Sequence, residues 1–334
     1  MNNLFSVSKL IHTFRLLIAI SISLIINTLY KNPFSIWILI TIIVIMFDQS
    51  NIGGVVQKSK LRTIATISAS IFSAIIILLF NDNIHINYIA ALIATFIYST
   101  LYMDTNKNYI GQLGIVTICI ILIEPHNGIL NSLIRPMNIL IGVMISIIVM
   151  RLIFPKYAKV QMEQLIHTVI KDIEKELLNL SNNKDKASIT EDYTKHENNF
   201  MSNIIKFNRL IDELSAEPKN NKYYVFYKEI YMHLRRIYRL ITIMYYNQMD
   251  NNYINLPIIV DHLKIIANSL NNILVEKKDN LYSNIKTIDV GLEEIRNHSI
   301  STAMCVVLNH IIYEVNQLNE IIHKLTLDTQ ESAD

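Results

Sequence analysis

The hydrophobic pattern of the chain changes character at about residue 156. Before it, six apolar segments carry almost no charge; after it, apolar residues recur at helical spacing among many Lys, Glu and Asn. Residues 63–80 (TIATISASIFSAIIILLF) contain no charge at all. A run of about 18 such residues is read as a bilayer span, because lipid forces every backbone N–H and C=O to pair within its own helix. The pattern places spans at roughly 10–30, 33–48, 62–80, 84–103, 109–124 and 135–155. The second and fifth hold only about 15 apolar residues each, which at 1.5 Å per residue falls short of a ~30 Å hydrocarbon core.

Charge placement orients these spans. Lys9, Arg15, the group Lys58, Lys60 and Arg62, then Lys107, Arg151, Lys156 and Lys159 all fall on one side. The other side carries only Lys31 and Arg135. The positive-inside rule puts the N-terminus, a long 48–62 loop and the whole second half in the cytoplasm. MNNLFSVSKLIHTFR lacks a small-residue cleavage site, so the first span is read as a retained helix.

The second half reads as helix. Over 158–180, Val160, Leu165, Val169, Ile173 and Leu177 form one stripe, with Lys171, Glu174 and Lys175 opposite. The polar tract SNNKDKASITEDYTKHENN is expected to be a loop, followed by helices near 197–216, 222–248, 256–277, 283–297 and 301–326. Pro218 and Pro257 mark breaks. In the last helix Met304, Val307, Ile311, Val315, Leu318, Ile322 and Leu325 make a seam, fit to pack within the domain or against a second copy. The expected fold is therefore all-α: a six-span membrane domain over 1–156 and a cytoplasmic helical bundle over 157–334.

Composition narrows function mainly by exclusion. The net charge of +2 gives no case for nucleic acid. There is no P-loop, HExxH, GxSxG or paired CxxC, and the ten histidines make no ligand pair. No enzymatic activity, cofactor or metal is expected. Cys119 and Cys305 lie in apolar segments and are read as buried thiols without a disulfide.

The short second and fifth spans occupy matching places in two halves of three spans. Each is followed by an acidic residue, Asp48 or Glu124, and then by an Arg opening the next span, Arg62 or Arg135. Three spans per half make such repeats inverted, and short segments at matching positions point to a transporter's substrate site. A chance match within low-complexity apolar sequence remains the alternative.

Candidate chemistry gathers between the second and third spans. Lys58 and Arg62 share one helix face at the cytoplasmic mouth, preceded by Gly53 and Gly54, which permit a close turn. Two cations at a pore mouth attract anions; ordinary flanking charge is the competing reading. Asp48 is expected to pair with Lys58 or Arg62. Arg15 either snorkels to the interface or meets substrate. Trp37 is an interface anchor or packing residue before it is a stacking surface. Arg135 is a periplasmic-side counterpart or a flanking charge, and Glu124, Pro125 and His126 form a solvated loop or a proton relay. Further on, the tyrosines around Arg235, Arg236 and Arg239 are expected in a core, with the arginines facing acidic helices, lipid headgroups or anions.

Trp37, Thr41, Asp48, Ile52, Gly53, Lys58 and the run Arg62-Thr63-Ile64-Ala65-Thr66 resemble the signature of the fusaric acid resistance family, as do His12-Thr13-Phe14-Arg15 and the stretch from Arg135-Pro136 to Phe154-Pro155. The resemblance covers about residues 8–157. It implies kinship with bacterial aromatic acid exporters and, distantly, with plant aluminium-activated malate channels. Ala65 and Ala69 stand where the family favours Gly, and Asp48 where Glu is frequent. The resemblance favours a pore role for Lys58 and Arg62. It implies export of small organic anions across a bacterial inner membrane, and the short second and fifth spans, read above from their lengths, are the expected route. The chain carries one copy of a unit that many relatives carry twice, which implies a homodimer, and exporters of this family imply a periplasmic adaptor partner. A passive organic-anion channel and a membrane-anchored scaffold without transport are the rival readings.

Overall fold

The computed structural model describes residues 7–30, 35–80, 83–103, 107–123, 128–181, 186–217, 221–250, 257–275, 285–286 and 299–331. Among them every regular element is a helix, and the chain divides into two compact units, Met1–Ala158 and Lys159–Asp334.

The first unit contains α1 (Val7–Tyr30), α2 (Ile36–Met46), α3 (Ile52–Phe80), α4 (Ile84–Tyr102), α5 (Asn108–Ile123) and α6 (Gly128–Leu152). Four stretches, Lys9–Leu29, Ile52–Phe80, Ile84–Tyr102 and Leu133–Leu152, are long and apolar enough to cross a membrane. The apolar helices α2 and α5 are shorter, rising about 16 and 24 Å at 1.5 Å per residue. Large side chains such as Leu78, Leu92, Phe96 and Met144 stand exposed on the outside of this unit. In water such a surface would be a liability; in lipid it is the expected covering.

The loop expected over 48–62 is confined to a few residues, because α3 begins at Ile52. Asn51 caps it, its Oδ1 accepting the N–H of Gly54 at 2.8 Å. Ile52 and Val55 join the apolar core formed with Ile45, Met46, Val149 and Met150. Gly53 and Gly54 are buried helical residues and form no turn.

Two apolar cores hold this unit together. One joins α1, α2, the start of α3 and α6 through Ala19, Ile42, Val143 and their neighbours. The other joins the later part of α3 to α4 and α5 through Ala69, Ala94, Ile118 and Leu122. α2 packs on α6, α5 on α3, α1 on α2, α4 on α5, and α3 meets α6. Exchanging α1–α3 with α4–α6 carries each of these packings onto another or onto itself. The helix neighbours are thus those of an internal repeat.

The second unit contains α7 (Ala158–Ser181), α8 (Lys186–Ser215), a short 3₁₀ turn (Asn221–Tyr223), α9 (Tyr224–Asp250), α10 (Pro257–Val275) and α11 (Ser299–Glu331). α8 replaces most of the expected loop. Tyr193, in the middle of that polar tract, is buried, with its ring 5.5 Å from those of Tyr245 and Tyr246 on α9. The helix forms although Ser, Thr, Asn and Asp are middling helix formers, and the aromatic contacts of Tyr193 tie it to α9, as tertiary packing overrides propensity. On α7 the buried stripe is Met162, Ile166, Val169, Ile173 and Leu177, whereas Val160 is exposed. The expected 283–297 helix lies outside the described residues except for Ile285 and Lys286, which are not helical; Asn316 bonds both the N–H and the C=O of Ile285 at 3.0 Å.

The α11 seam packs inside this unit against α9 and α10, with Met304, Ile311, Val315 and Leu318 fully buried. Cys305 is buried and Cys119 half-buried, and neither is in a disulfide. The tyrosines of α9 enter the core, where Tyr227 donates to Glu163 at 3.1 Å and Tyr245 donates to Glu176. Glu314, almost fully buried, lies 2.5 Å from His233 and 3.4 Å from Arg236.

Candidate functional site

The helical start of α3 puts Lys58 and Arg62 one turn apart, as their spacing requires. Lys58 Nζ pairs with Asp48 at 2.6 Å and lies 5.3 Å from the centre of the Tyr109 ring. Arg62 is only 4% exposed, and its Nε has no hydrogen-bond partner among the described residues. The Tyr109 hydroxyl interacts electrostatically with the guanidinium but makes no close, well-aligned hydrogen bond. Among the described residues no carboxylate pairs with Arg62. A buried guanidinium is normally matched by an anion or a full set of acceptors, since desolvating an unpaired charge costs several kcal/mol. The cluster of Asp48, Lys58 and Arg62 therefore sets two cations against one carboxylate, with the more buried cation under-satisfied.

Arg15 has a different environment. Its Nε donates to the carbonyl of Ile153 at 2.8 Å, its Nη2 to that of Phe154, and its Nη1 to that of Ser50 at the longer distance of 3.4 Å. These carbonyls belong to the chain leaving α6, where Phe154 takes a positive φ of 44°, and to the α2–α3 connection. Arg15 closes the C-terminus of α6 and ties it to the Asp48 loop, where a cation also meets the negative end of the helix dipole. It positions the site's surroundings. Beside it His12 Nε2 bonds the Phe47 carbonyl at 3.2 Å.

Arg135 and Trp37 come together elsewhere in the same unit. The guanidinium carbon lies 3.7 Å from the centre of the indole, a close cation–π contact, and Arg135 is 3% exposed. This pair is the repeat counterpart of Arg62 and Tyr109. Trp37 and Tyr109 are each the second residue of a short helix, α2 or α5, and each faces the buried Arg of the long helix on which that short helix packs. The correspondence extends along α3 and α6 at one constant offset: Arg62 with Arg135, Ala69 with Gly142, and Ser73 with Ser146. Gly142 sits so near α2 that a Cβ there would lie 2.8 Å from the Ile38 carbonyl.

α3 is built inside out. From residue 59 to residue 73 its buried positions are Ser59, Arg62, Ala65, Thr66, Ala69, Ser70 and Ser73, with no large apolar side chain among them. Its exposed face carries Ile64, Ile67, Ile71 and Ile75. Several hydroxyls of the unit bond a carbonyl one turn back, as Ser21, Thr28, Thr95, Thr100, Thr117 and Ser146 do. Among the described residues Ser59, Ser70 and Ser73, like Thr41 on α2, have no hydrogen-bond partner. A buried hydroxyl left so costs about 1–3 kcal/mol.

Residues 9–225, more than half of the chain, match the family model of the fusaric acid resistance proteins. The chain belongs to the fusaric acid resistance protein family. The match runs through α7 and α8 to the start of α9, farther than the resemblance read over 8–157. The family is one of membrane transporters and not enzymes, and the four long apolar helices make this member a multi-pass membrane protein. No curated protein matches the chain.

Of the residues expected at this family member's site, Asp48, Lys58 and Arg62 are brought together, Trp37 and Arg135 form a second cluster, and Arg15 serves the backbone. Lys31, Glu124, Pro125 and His126 lie outside the described residues. Sequence reasoning missed Tyr109 and the hydroxyl face of α3. The signal for the second was present, since Ser59, Arg62, Thr66, Ser70 and Ser73 recur at helical spacing within an Ile-rich segment.

Proposed function

We propose that this protein exports small organic anions, aromatic or related weak carboxylic acids, from the cytoplasm across a bacterial inner membrane. The observation that carries the reading is Arg62: a buried guanidinium with no carboxylate partner among the described residues, one turn from Lys58, which lies against the Tyr109 ring. A carboxylate arriving at this end would supply the acceptors that Arg62 lacks, with Lys58 released from Asp48 as a second donor. An aromatic acid would also find the Tyr109 ring there. In this scheme α1–α6 form six spans, α2 and α5 crossing only with help from their neighbours, and the lysine and arginine asymmetry keeps both termini in the cytoplasm. A homodimer and a periplasmic adaptor protein complete the proposed assembly.

The test loads cells lacking their own aromatic acid exporters with radiolabelled p-hydroxybenzoate. Efflux is then followed for wild type, Arg62→Ala and empty vector at matched membrane levels. Efflux from wild type alone is expected. Wild-type flux through Arg62→Ala would remove Arg62 from the mechanism. Flux that follows only the anion's own gradient, unaffected by collapse of the proton gradient, would mark a passive channel. Equal behaviour of all three would favour a scaffold.

A further inference from the structure

We infer that the translocation path runs along the buried face of α3, and that the hydroxyls of Ser70 and Ser73 form a neutral carboxylate-binding stretch beyond Arg62. The inference rests on the export reading for its substrate, but not for its geometry. From Ser59 to Ser73 the helix rises about 21 Å, most of the ~30 Å hydrocarbon thickness. Over that length the face turned into the protein is hydroxyl, guanidinium or alanine, while isoleucines face outward.

Small residues, serine and threonine included, line the packing faces of membrane helices, where their hydroxyls normally bond their own backbone or a neighbouring helix. Eight other hydroxyls in this unit, that of Ser68 on α3 among them, are bonded to their own helix, while that of the buried Thr41 on α2 is not. Ser70 and Ser73 have no such bond, although they are 6% exposed and fully buried, respectively. The repeat sharpens the contrast, because Ser146, the counterpart of Ser73, does bond the carbonyl of Gly142 at 2.8 Å. The two halves therefore carry the same serine in different states, and only the α3 copy keeps its hydroxyl for another partner.

Ala65 and Ala69 lie on the same buried face and add no bulk. A carboxylate leaving Arg62 would exchange charge-assisted bonds for hydroxyl bonds. That binding is weak enough to let the anion move on toward the far end, as conduction through successive sites requires.

Cysteine accessibility tests the path and transport tests its function. In a background carrying Cys119→Ala and Cys305→Ala, Ser70→Cys and Ser73→Cys are treated with an anionic, membrane-impermeant methanethiosulfonate. Ile71→Cys and Ile75→Cys, on the exposed apolar face, serve as controls. The serine positions are expected to react at least tenfold faster than the isoleucine positions. Separately, Ser70→Ala/Ser73→Ala is expected to lower p-hydroxybenzoate efflux about tenfold at unchanged membrane level, and Ser73→Thr to retain most of it. Serine positions as inert as the controls, or full efflux through the double alanine variant, would overturn the inference while leaving export intact. Fast labelling of the serine positions in a protein that fails to move p-hydroxybenzoate would support the path and overturn only the choice of substrate.

Discussion

Replacing Arg15 with methionine keeps an unbranched apolar stem in the core and removes the guanidinium. Two bonds are lost, to the carbonyls of Ile153 and Phe154, whereas the 3.4 Å contact to Ser50 adds little. A hydrogen bond from a charged donor contributes about 1.5–3 kcal/mol, so the pair amounts to roughly 3–6 kcal/mol. The chain leaving α6 would loosen at Ile153 and Phe154, while the Ile52 N–H bond to the Lys156 carbonyl at 2.9 Å and the shared apolar core still join it to the start of α3. Lysine offers a single ammonium in place of a planar fork and should recover about half of the loss. The assay heats full-length protein in mild detergent and follows the monodisperse fraction by size exclusion. Arg15→Met is expected to melt well below wild type, with Arg15→Lys between them, while efflux per folded molecule is retained. A wild-type melting midpoint combined with lost efflux would refute the reasoning and return Arg15 to the substrate.

Two further outcomes follow from packing and from titration. Gly142→Val should cost about 1–3 kcal/mol by forcing α2 away from α6, because even a Cβ meets both the Ile38 carbonyl and the Thr41 side chain at 2.8 Å; an unchanged melting midpoint would show that the two helices separate freely. In the second unit, burial first and the Glu163 carboxylate next push the Tyr227 phenol above its ordinary value. The folded state therefore favours the neutral phenol. Its contribution is complete below a pH of about 10 and is lost as pH rises through the elevated value. Tyr193 and Tyr238 are raised too, chiefly by burial, so Tyr227→Phe should lessen but not abolish alkaline unfolding followed by circular dichroism. An identical alkaline profile in the variant would contradict this account.

What the chain determined by itself is the division into an apolar and a helix-patterned half, the all-helical class, the shortness of α2 and α5, and the one-turn spacing of Lys58 and Arg62. These follow from composition and period, which act locally: lipid demands self-satisfied helices, and a four-residue interval is one turn wherever the helix sits. The start of α3 was not legible, because Asn51 caps a helix whose first turns are held by Met46 and Met150, residues before and far after it. Nor was the start of α8, held by Tyr193 against α9. The roles of the arginines were settled only by tertiary structure. Three buried guanidiniums look alike in sequence, yet one meets backbone carbonyls, one lies over an indole, and one is left without an anion. A charge takes its meaning from what desolvates it and what faces it, and both are contributed by residues distant in the chain.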